Sequence, residues 1–197
     1  MPVMSAIEST FCRSPPWEAL AGRVVLPWVL DGYPLSGQVL EVGGGSGAMA
    51  LGVARRFPEV HLFITDIDVG MIDRARKRLS SEEKVSVEVA DVTALPFGNG
   101  QFNVVTSYLM LHHVIDWANA LTEIGRVLRP GGVFIGYDLT DSRLARVIHR
   151  VDRSPHRILT PEELSQGLVV AGFSAVQLRL SARSHLVRFH AQKKSWT

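Results

Sequence analysis

The chain has 197 residues, 46% of them hydrophobic and 20% charged, which fits one globular domain with a sizeable core. A net charge of +2 is too small to argue for nucleic acid, and the single cysteine, Cys12, excludes an intrachain disulfide and a cysteine-rich zinc site and fits a cytoplasmic setting. The first ten residues lack the basic and apolar regions of a signal peptide, and the apolar run at 24–30, interrupted by Pro27, is too short to span a bilayer.

Residues 1–13 carry no periodic pattern and read as an arm. Ser14, with Pro15, Pro16 and Glu18 behind it, starts a helix that runs to about residue 25, where Pro27 ends or kinks it before Trp28. Asp31-Gly32 and Ser36-Gly37 are turn signals. An apolar strand follows at 39–42, with one carboxylate, Glu41, inside it. The glycines at 43, 44, 45 and 47 then make a tight turn into a helix at 47–57, with Met49, Val53 and Phe57 on one face. Residues 60–64 are a second strand with Asp66 at its end. Asp68 caps a helix at 69–79 that turns Met71, Ile72, Ala75 and Leu79 inward and Arg74, Arg76, Lys77 and Arg78 outward.

Residues 85–89 alternate as a third strand, followed directly by Asp91, and 102–108 are a fourth. The helix at 117–128 meets a stop and turn at Arg129-Pro130-Gly131-Gly132. A fifth strand covers 133–137 and a helix 142–151. Thr160-Pro161-Glu162-Glu163 opens a helix to residue 171 with a capping box. Two late strands, 175–180 and 185–190, form an antiparallel hairpin at the sheet edge. Strands alternating with helices make an α/β fold: a mostly parallel sheet with helices on both faces. Residues 1–38 form an N-terminal helical cap and 39–197 one globular unit carrying the site.

In such a sheet ligands bind outside the carboxyl ends of the strands. The glycine turn, Asp66 and Asp91 all fall there, and the turn opens a helix whose first amides are free to donate. Two ligands compete. Gly43-x-Gly45-x-x-Ala48 with Asp66 satisfies a dinucleotide pattern and allows a nicotinamide-dependent oxidoreductase. Glu41-x-Gly43-x-Gly45-x-Gly47 puts an acid two residues before the first glycine, which suits an ammonium and repels a diphosphate. No phosphate-binding loop with Gly-Lys-Ser/Thr exists, and no His/Cys/Asp/Glu cluster has metal-ligand spacing.

The chain resembles the class I S-adenosylmethionine-dependent methyltransferases, with a small-molecule methyltransferase-type domain. The matching pieces are the 39–47 stretch, then Thr65-Asp66-Ile67-Asp68 with Met71-Ile72, and Ala90-Asp91-Val92 with Leu95-Pro96-Phe97. They continue through Phe102 to Val105, Leu111-His112-His113-Val114, Arg126 to Gly132, Thr160 to Leu164, and Ala171-Gly172-Phe173. Their order across 39–173 is far more specific than any one piece. The resemblance implies a Rossmann-like three-layer sandwich with a seven-stranded sheet, its last strand inserted antiparallel. It implies that Gly43, Gly44 and Gly45 pass under the methionine part of the cofactor, with Glu41 near the amino group. Asp66 would hold the ribose hydroxyls, Ile67 would pack on the adenine, Asp91 and the Val92 amide would meet the adenine edge, and Ser107 to Leu109 would line the methyl-donor pocket. Asn103 departs from the family's Asp.

Histidine as a residue type titrates in the range a general base needs, which makes His112 a candidate, with His113 and Tyr108 as further candidates and Tyr137 as a remoter one. The Leu-His-His stretch is also a structural element of the family, and both readings stand. Residues 1–138 hold 11 Lys+Arg against 15 Asp+Glu, and 139–197 hold 10 against 4. Arg143, Arg146, Arg150 and Arg153 share one helix face, which is either solvated or borders an acceptor pocket that favours an anionic small molecule. The reading is methyl transfer to a small-molecule acceptor. An oxidoreductase, a non-catalytic cofactor-binding regulator and RNA methylation are its rivals, nucleic acid being disfavoured because no RNA-binding domain is appended. The oligomeric state stays open.

Overall fold

The computed structural model describes residues 20–141, 157–181 and 184–195. Seven strands form one sheet: β1 (Gln38–Val42), β2 (His61–Asp66), β3 (Val85–Val89), β4 (Phe102–Tyr108), β5 (Leu128–Leu139), β6 (Phe173–Leu180) and β7 (Leu186–Lys193). Their order is β3-β2-β1-β4-β5-β7-β6. β1 to β5 run parallel, and β7 runs antiparallel to both of its neighbours. The expected hairpin is present, with β7 slotted inside the sheet and β6 on its edge.

Both faces of the sheet are covered, which is why the central strands read as near-continuous apolar runs. On one face Val39, Ile64, Val104 and Ile135 pack against helices α1 (Leu26–Leu30), α2 (Ala48–Arg56) and α3 (Val69–Arg78). On the other, Leu40, Val105 and Phe134 pack against α4 (Trp117–Val127) and α5 (Pro161–Val170). Each fully buried Leu, Ile or Phe of these clusters contributes about 1.5–3 kcal/mol. The helices start where side chains satisfy their first amides: Asp68 accepts from the Met71 N–H of α3, Asp116 from the Asn119 N–H of α4, and Thr160 and Glu163 form the capping box of α5.

Three boundaries differ from the sequence reading. The first helix does not stop before Pro27. A π-helical turn, Ala21–Val25, runs straight into α1, and Pro27 occupies the first turn of α1, where a missing N–H breaks no bond. Leu128 to Gly132 are not a free turn but the start of β5: Leu128 pairs with Phe102, and the register shifts before Val104. β6 begins at Phe173 and carries a bulge between Ser174 and Gln177, where Ala175 takes a φ of 47°. The arm at 1–13, the Ser14 helix start and the 142–151 helix with its arginines lie outside the described residues.

The N-terminal segment is tied to β7. Arg188 on β7 donates to the Trp28 carbonyl and pairs with Asp31 at 2.7 Å, and the His190 Nε2 lies 2.9 Å from the Val29 carbonyl. Asn103 plays a structural part, since its Oδ1 accepts from the Gln38 N–H at the start of β1. Among the described residues no helix is long and apolar enough to cross a membrane.

Candidate functional site

The site grows from the end of β1. Gly43 takes a φ of 64°, and a Cβ on it would lie 2.0 Å from Met110 Cγ, so only glycine fits there. Gly45 takes a φ of 54° with nothing among the described residues within 4 Å of where a Cβ would point, so the turn presents bare backbone there. The Gly44 N–H donates to the Thr65 carbonyl, and α2 begins at Ala48. Arg78 corrects its outward assignment. Its guanidinium donates to the Ser46 carbonyl at 2.6 Å and to Ser46 Oγ at 2.7 Å, bracing the turn from behind.

Three carboxylates stand at adjacent strand ends. Asp66 closes β2, accepting from the Gly45 N–H and the Asp68 N–H at 2.9 Å each. Burial raises its pKa although those amides pull the other way. Half-buried Ile67 follows it. Asp91, after β3, accepts from the Thr93 N–H and hydroxyl at 2.8 and 2.7 Å, beside buried Val92. Glu41, on β1, is 1% exposed, and its Oε2 has no hydrogen-bond partner among the described residues. Burial, and then the Asp66 charge, push its pKa up to about 8.

Glu41 and the glycine turn line a cleft of about 550 Å³, counted out to its open mouth, together with Met49, Met71, Tyr108, Leu109 and Tyr137. Tyr108 is buried, and its hydroxyl has no hydrogen-bond partner among the described residues. Burial and the neighbouring Glu41 drive its ionisation far up, so it stays a neutral phenol. The Tyr137 ring lies between Tyr108, 6.1 Å away, and Trp28, whose ring meets it edge-on at 5.5 Å. Ser107 is wholly buried in β4, and its hydroxyl likewise has no partner among the described residues. The cleft therefore brings together Glu41, Gly43, Gly44, Gly45 and Tyr108. Asp66, Ile67, Asp91 and Val92 stand along the adjoining strand ends. Met49 and Met71 are members that the periodicity assigned to the core alone.

A second cluster lies past β4. A 3-10 turn, Leu111–His113, presents His112, whose Nδ1 makes a short contact with Asp138 Oδ1 at the end of β5. The His112 N–H also donates to Asp138 Oδ2 at 3.3 Å, and the Leu139 N–H to Oδ1 at 2.6 Å. Burial alone would raise the Asp138 carboxyl, but the His112 charge and hydrogen bond hold it below the usual value. The His113 ring lies 4.0 Å from that of His112. Leu139, Leu159, Leu164 and Val187 complete a small apolar cavity over the pair. The sequence reading does not single out Asp138, although an acid ending β5 follows the same rule that picks Asp66 and Asp91. Among the described residues no group of His, Cys, Asp and Glu is arranged to hold a metal.

A methyltransferase-domain family matches residues 39–132. The ubiquinone/menaquinone biosynthesis C-methyltransferase UbiE of Neisseria meningitidis serogroup B is 30% identical over 165 residues, which cover 71% of this chain and 67% of that protein. The chain belongs to the class I S-adenosylmethionine-dependent methyltransferases. S-adenosylmethionine is its cofactor. The chain is also 31% identical over 152 residues to the malonyl-[acyl-carrier protein] O-methyltransferase of Geobacter sulfurreducens, covering 72% of this chain and 57% of that protein. It thus spans little more than half of that relative's length. In fold it matches a chain from the complex between the Haloferax volcanii Trm112 methyltransferase activator and a methyltransferase, with a TM-score of 0.82, 15% identity and coverage of 98% and 99%. Family membership leaves the nicotinamide reading without support. The residues fit the methyl donor: a buried carboxyl group, one oxygen of which has no partner among the described residues, faces a cleft floored by glycine backbone, where a ligand's ammonium would supply a cation.

Proposed function

We propose that this chain methylates a small-molecule acceptor. The reading is carried by the Glu41 carboxylate, buried in the glycine-floored cleft with one oxygen lacking a partner among the described residues. S-adenosylmethionine supplies a methyl group already activated for in-line displacement, so the chain's own contribution is alignment and exclusion of water. Glu41 takes the ammonium, Gly43, Gly44 and Gly45 run beneath the methionine part, and Asp66 takes the ribose hydroxyls. Ile67 packs on the adenine, with Asp91 and the Val92 amide at its edge. Ser107 and Tyr108 wall the methyl-donor end.

His112 is the general base of this reading. Its Nδ1 faces the Asp138 carboxylate, which orients the ring, and this reading assigns the imidazole the acceptor's proton. His113 and Tyr108 are weaker candidates, Tyr108 because its phenol is held neutral. A base favours acceptors that shed a proton on methylation, such as an acidic C–H or a hydroxyl, over a carboxylate that is already ionised. The basic run from Arg143 to Arg157 supports an anionic acceptor. The segment before residue 39 serves as a cap in this reading, with Trp28 resting on Tyr137 beside the cleft. A cytoplasmic setting, on the single cysteine, belongs to the same reading.

Calorimetry with S-adenosylmethionine, its demethylated product and NAD, followed by an acceptor screen that detects the demethylated product, tests it. Binding of the first two and turnover with at least one acceptor is the expected outcome. Preference for NAD overturns the reading, and tight binding with no turnover on any acceptor turns it into a cofactor-binding regulator.

A further inference from the structure

We propose that binding of the methyl donor expels one proton from the protein, with Glu41 as its source. The free protein holds Glu41 as a neutral carboxylic acid, and the bound protein holds it as a carboxylate against the donor's ammonium. The inference rests on the reading that places Glu41 in the donor site.

Glu41 lies near the carboxyl end of β1, between β2 and β4, and 1% of it reaches solvent. Its Oε1 sits against Gly44, and its Oε2 has no partner among the described residues. From β2 the nearest titratable group is Asp66, which carries the same sign of charge. From β4 it is Tyr108, a phenol that also lacks a partner among the described residues, and from β5 it is Tyr137 across the cleft. From α2 and α3 come Met49 and Met71. No Lys, Arg or His lines the cleft among the described residues. Arg78, the guanidinium that braces the turn, donates to Ser46. A carboxyl group buried with a like charge and two phenols for neighbours keeps its proton, because no cation among the described residues lining the cleft offsets the loss of its hydration.

An entering ammonium reverses that balance. It brings a cation against the buried acid, the carboxyl O–H gives its proton to solvent, and a carboxylate–ammonium pair forms in its place. Atoms and charge balance: the acid loses H⁺ to the buffer, and the ligand keeps its own. The competing arrangement, in which the acid keeps its proton and donates it to a ligand oxygen, releases nothing. The two therefore differ in a measurable count.

Titration calorimetry with S-adenosylmethionine at pH 6.5 makes that count, using buffers of low and high ionisation enthalpy such as phosphate and Tris. At this pH both the Glu41 acid and the ligand's amine carry their protons. The expected result is a release approaching one proton per ligand bound, with an apparent affinity that rises roughly tenfold from pH 6 to pH 7. Glu41→Gln should bind more weakly and release none, whereas Asp66→Asn should keep the release. Binding without any buffer dependence overturns the proposal and leaves the donor-site reading intact. Release that survives Glu41→Gln but vanishes in Asp66→Asn also overturns it, by moving the source to Asp66. Failure of wild type to bind the donor at all overturns the donor-site reading and the proposal together.

Discussion

Glu41 on β1 and Asp138 on β5 are carboxylates buried to a similar degree, 1% and 4% exposed, and separated by β4 alone. Their environments push them in opposite directions. Glu41 keeps an oxygen with no partner among the described residues, and its pKa rises to about 8. Asp138 accepts from the His112 ring, the His112 N–H and the Leu139 N–H, and its pKa falls below the usual value. Burial acts alike on both, so partners decide the outcome. A saturated carboxylate is a finished piece of architecture that orients its neighbour. An unsaturated one is a socket that a ligand completes.

The sharpest way to break this contrast is to remove each carboxylate in turn. Asp138→Ala strands a buried histidine and should lower stability by about 3–5 kcal/mol, read by chemical denaturation. Asp138 thus belongs to folding first, and under the proposed reading it also orients His112. His112→Gln should lower kcat by roughly 100-fold or more while leaving donor affinity within a factor of a few. An unchanged kcat would reduce His112 to a structural residue. Glu41→Gln acts on the other side of the comparison. Donor affinity should fall by about 2 kcal/mol, roughly 30-fold, in calorimetry near pH 8, while the free protein should be no less stable than wild type at that pH.

Stability against pH gives a smaller but cleaner signal. The unfolded chain releases the Glu41 proton near its ordinary value of 4.5, and the folded protein keeps it to about 8. Between those limits the folded state binds more protons, so the free protein should lose stability as pH rises through that window and level off above it. Asp66, also raised, acts in the same direction. Asp138, lowered, contributes stability above its ordinary value that is lost as pH falls through its folded value. Melting temperatures from pH 5 to pH 9 should therefore decline, with the slope reduced in Glu41→Gln. The smallest effect belongs to Arg78→Met, which removes two hydrogen bonds from behind the glycine turn. It should weaken donor binding by about 1 kcal/mol with kcat nearly unchanged, read as a KM for the donor that rises alone.

The strands and the glycine turn are legible in the sequence because each is a local pattern: an apolar run, a turn residue, a cap. Glu41, Asp66 and Asp91 are legible for the same reason, since Glu41 stands two residues before the first glycine and the two aspartates follow strand ends. What is not legible depends on register between distant segments. Arg78 sits outward by helical period, but period reports where a Cβ points, not where a long side chain ends, and its guanidinium reaches Ser46, 32 residues back. Leu128 to Gly132 look like a stop because Pro130 and Gly131 punctuate the chain. Pairing of Leu128 with Phe102 recruits them into β5 instead. The His112–Asp138 pair joins residues 26 apart, and no spacing rule announces a contact made by a 3-10 turn leaning on the next strand.

The clasp between β7 and the N-terminal helix has a consequence for the order in which the molecule is made. Trp28, Val29 and Asp31 find their partners on Arg188 and His190, about 160 residues later, and β7 itself must enter between β5 and β6. At a synthesis rate of ~5–20 residues per second, α1 leaves the ribosome on the order of ten seconds before its seat exists. During that interval Leu26 and Val29, both fully buried in the finished protein, have no complete surface to cover them. Closing so long a loop is the slow kind of contact, and it comes late. During synthesis α1 therefore waits for its partners, and the strand that supplies them is the last of the seven to be made.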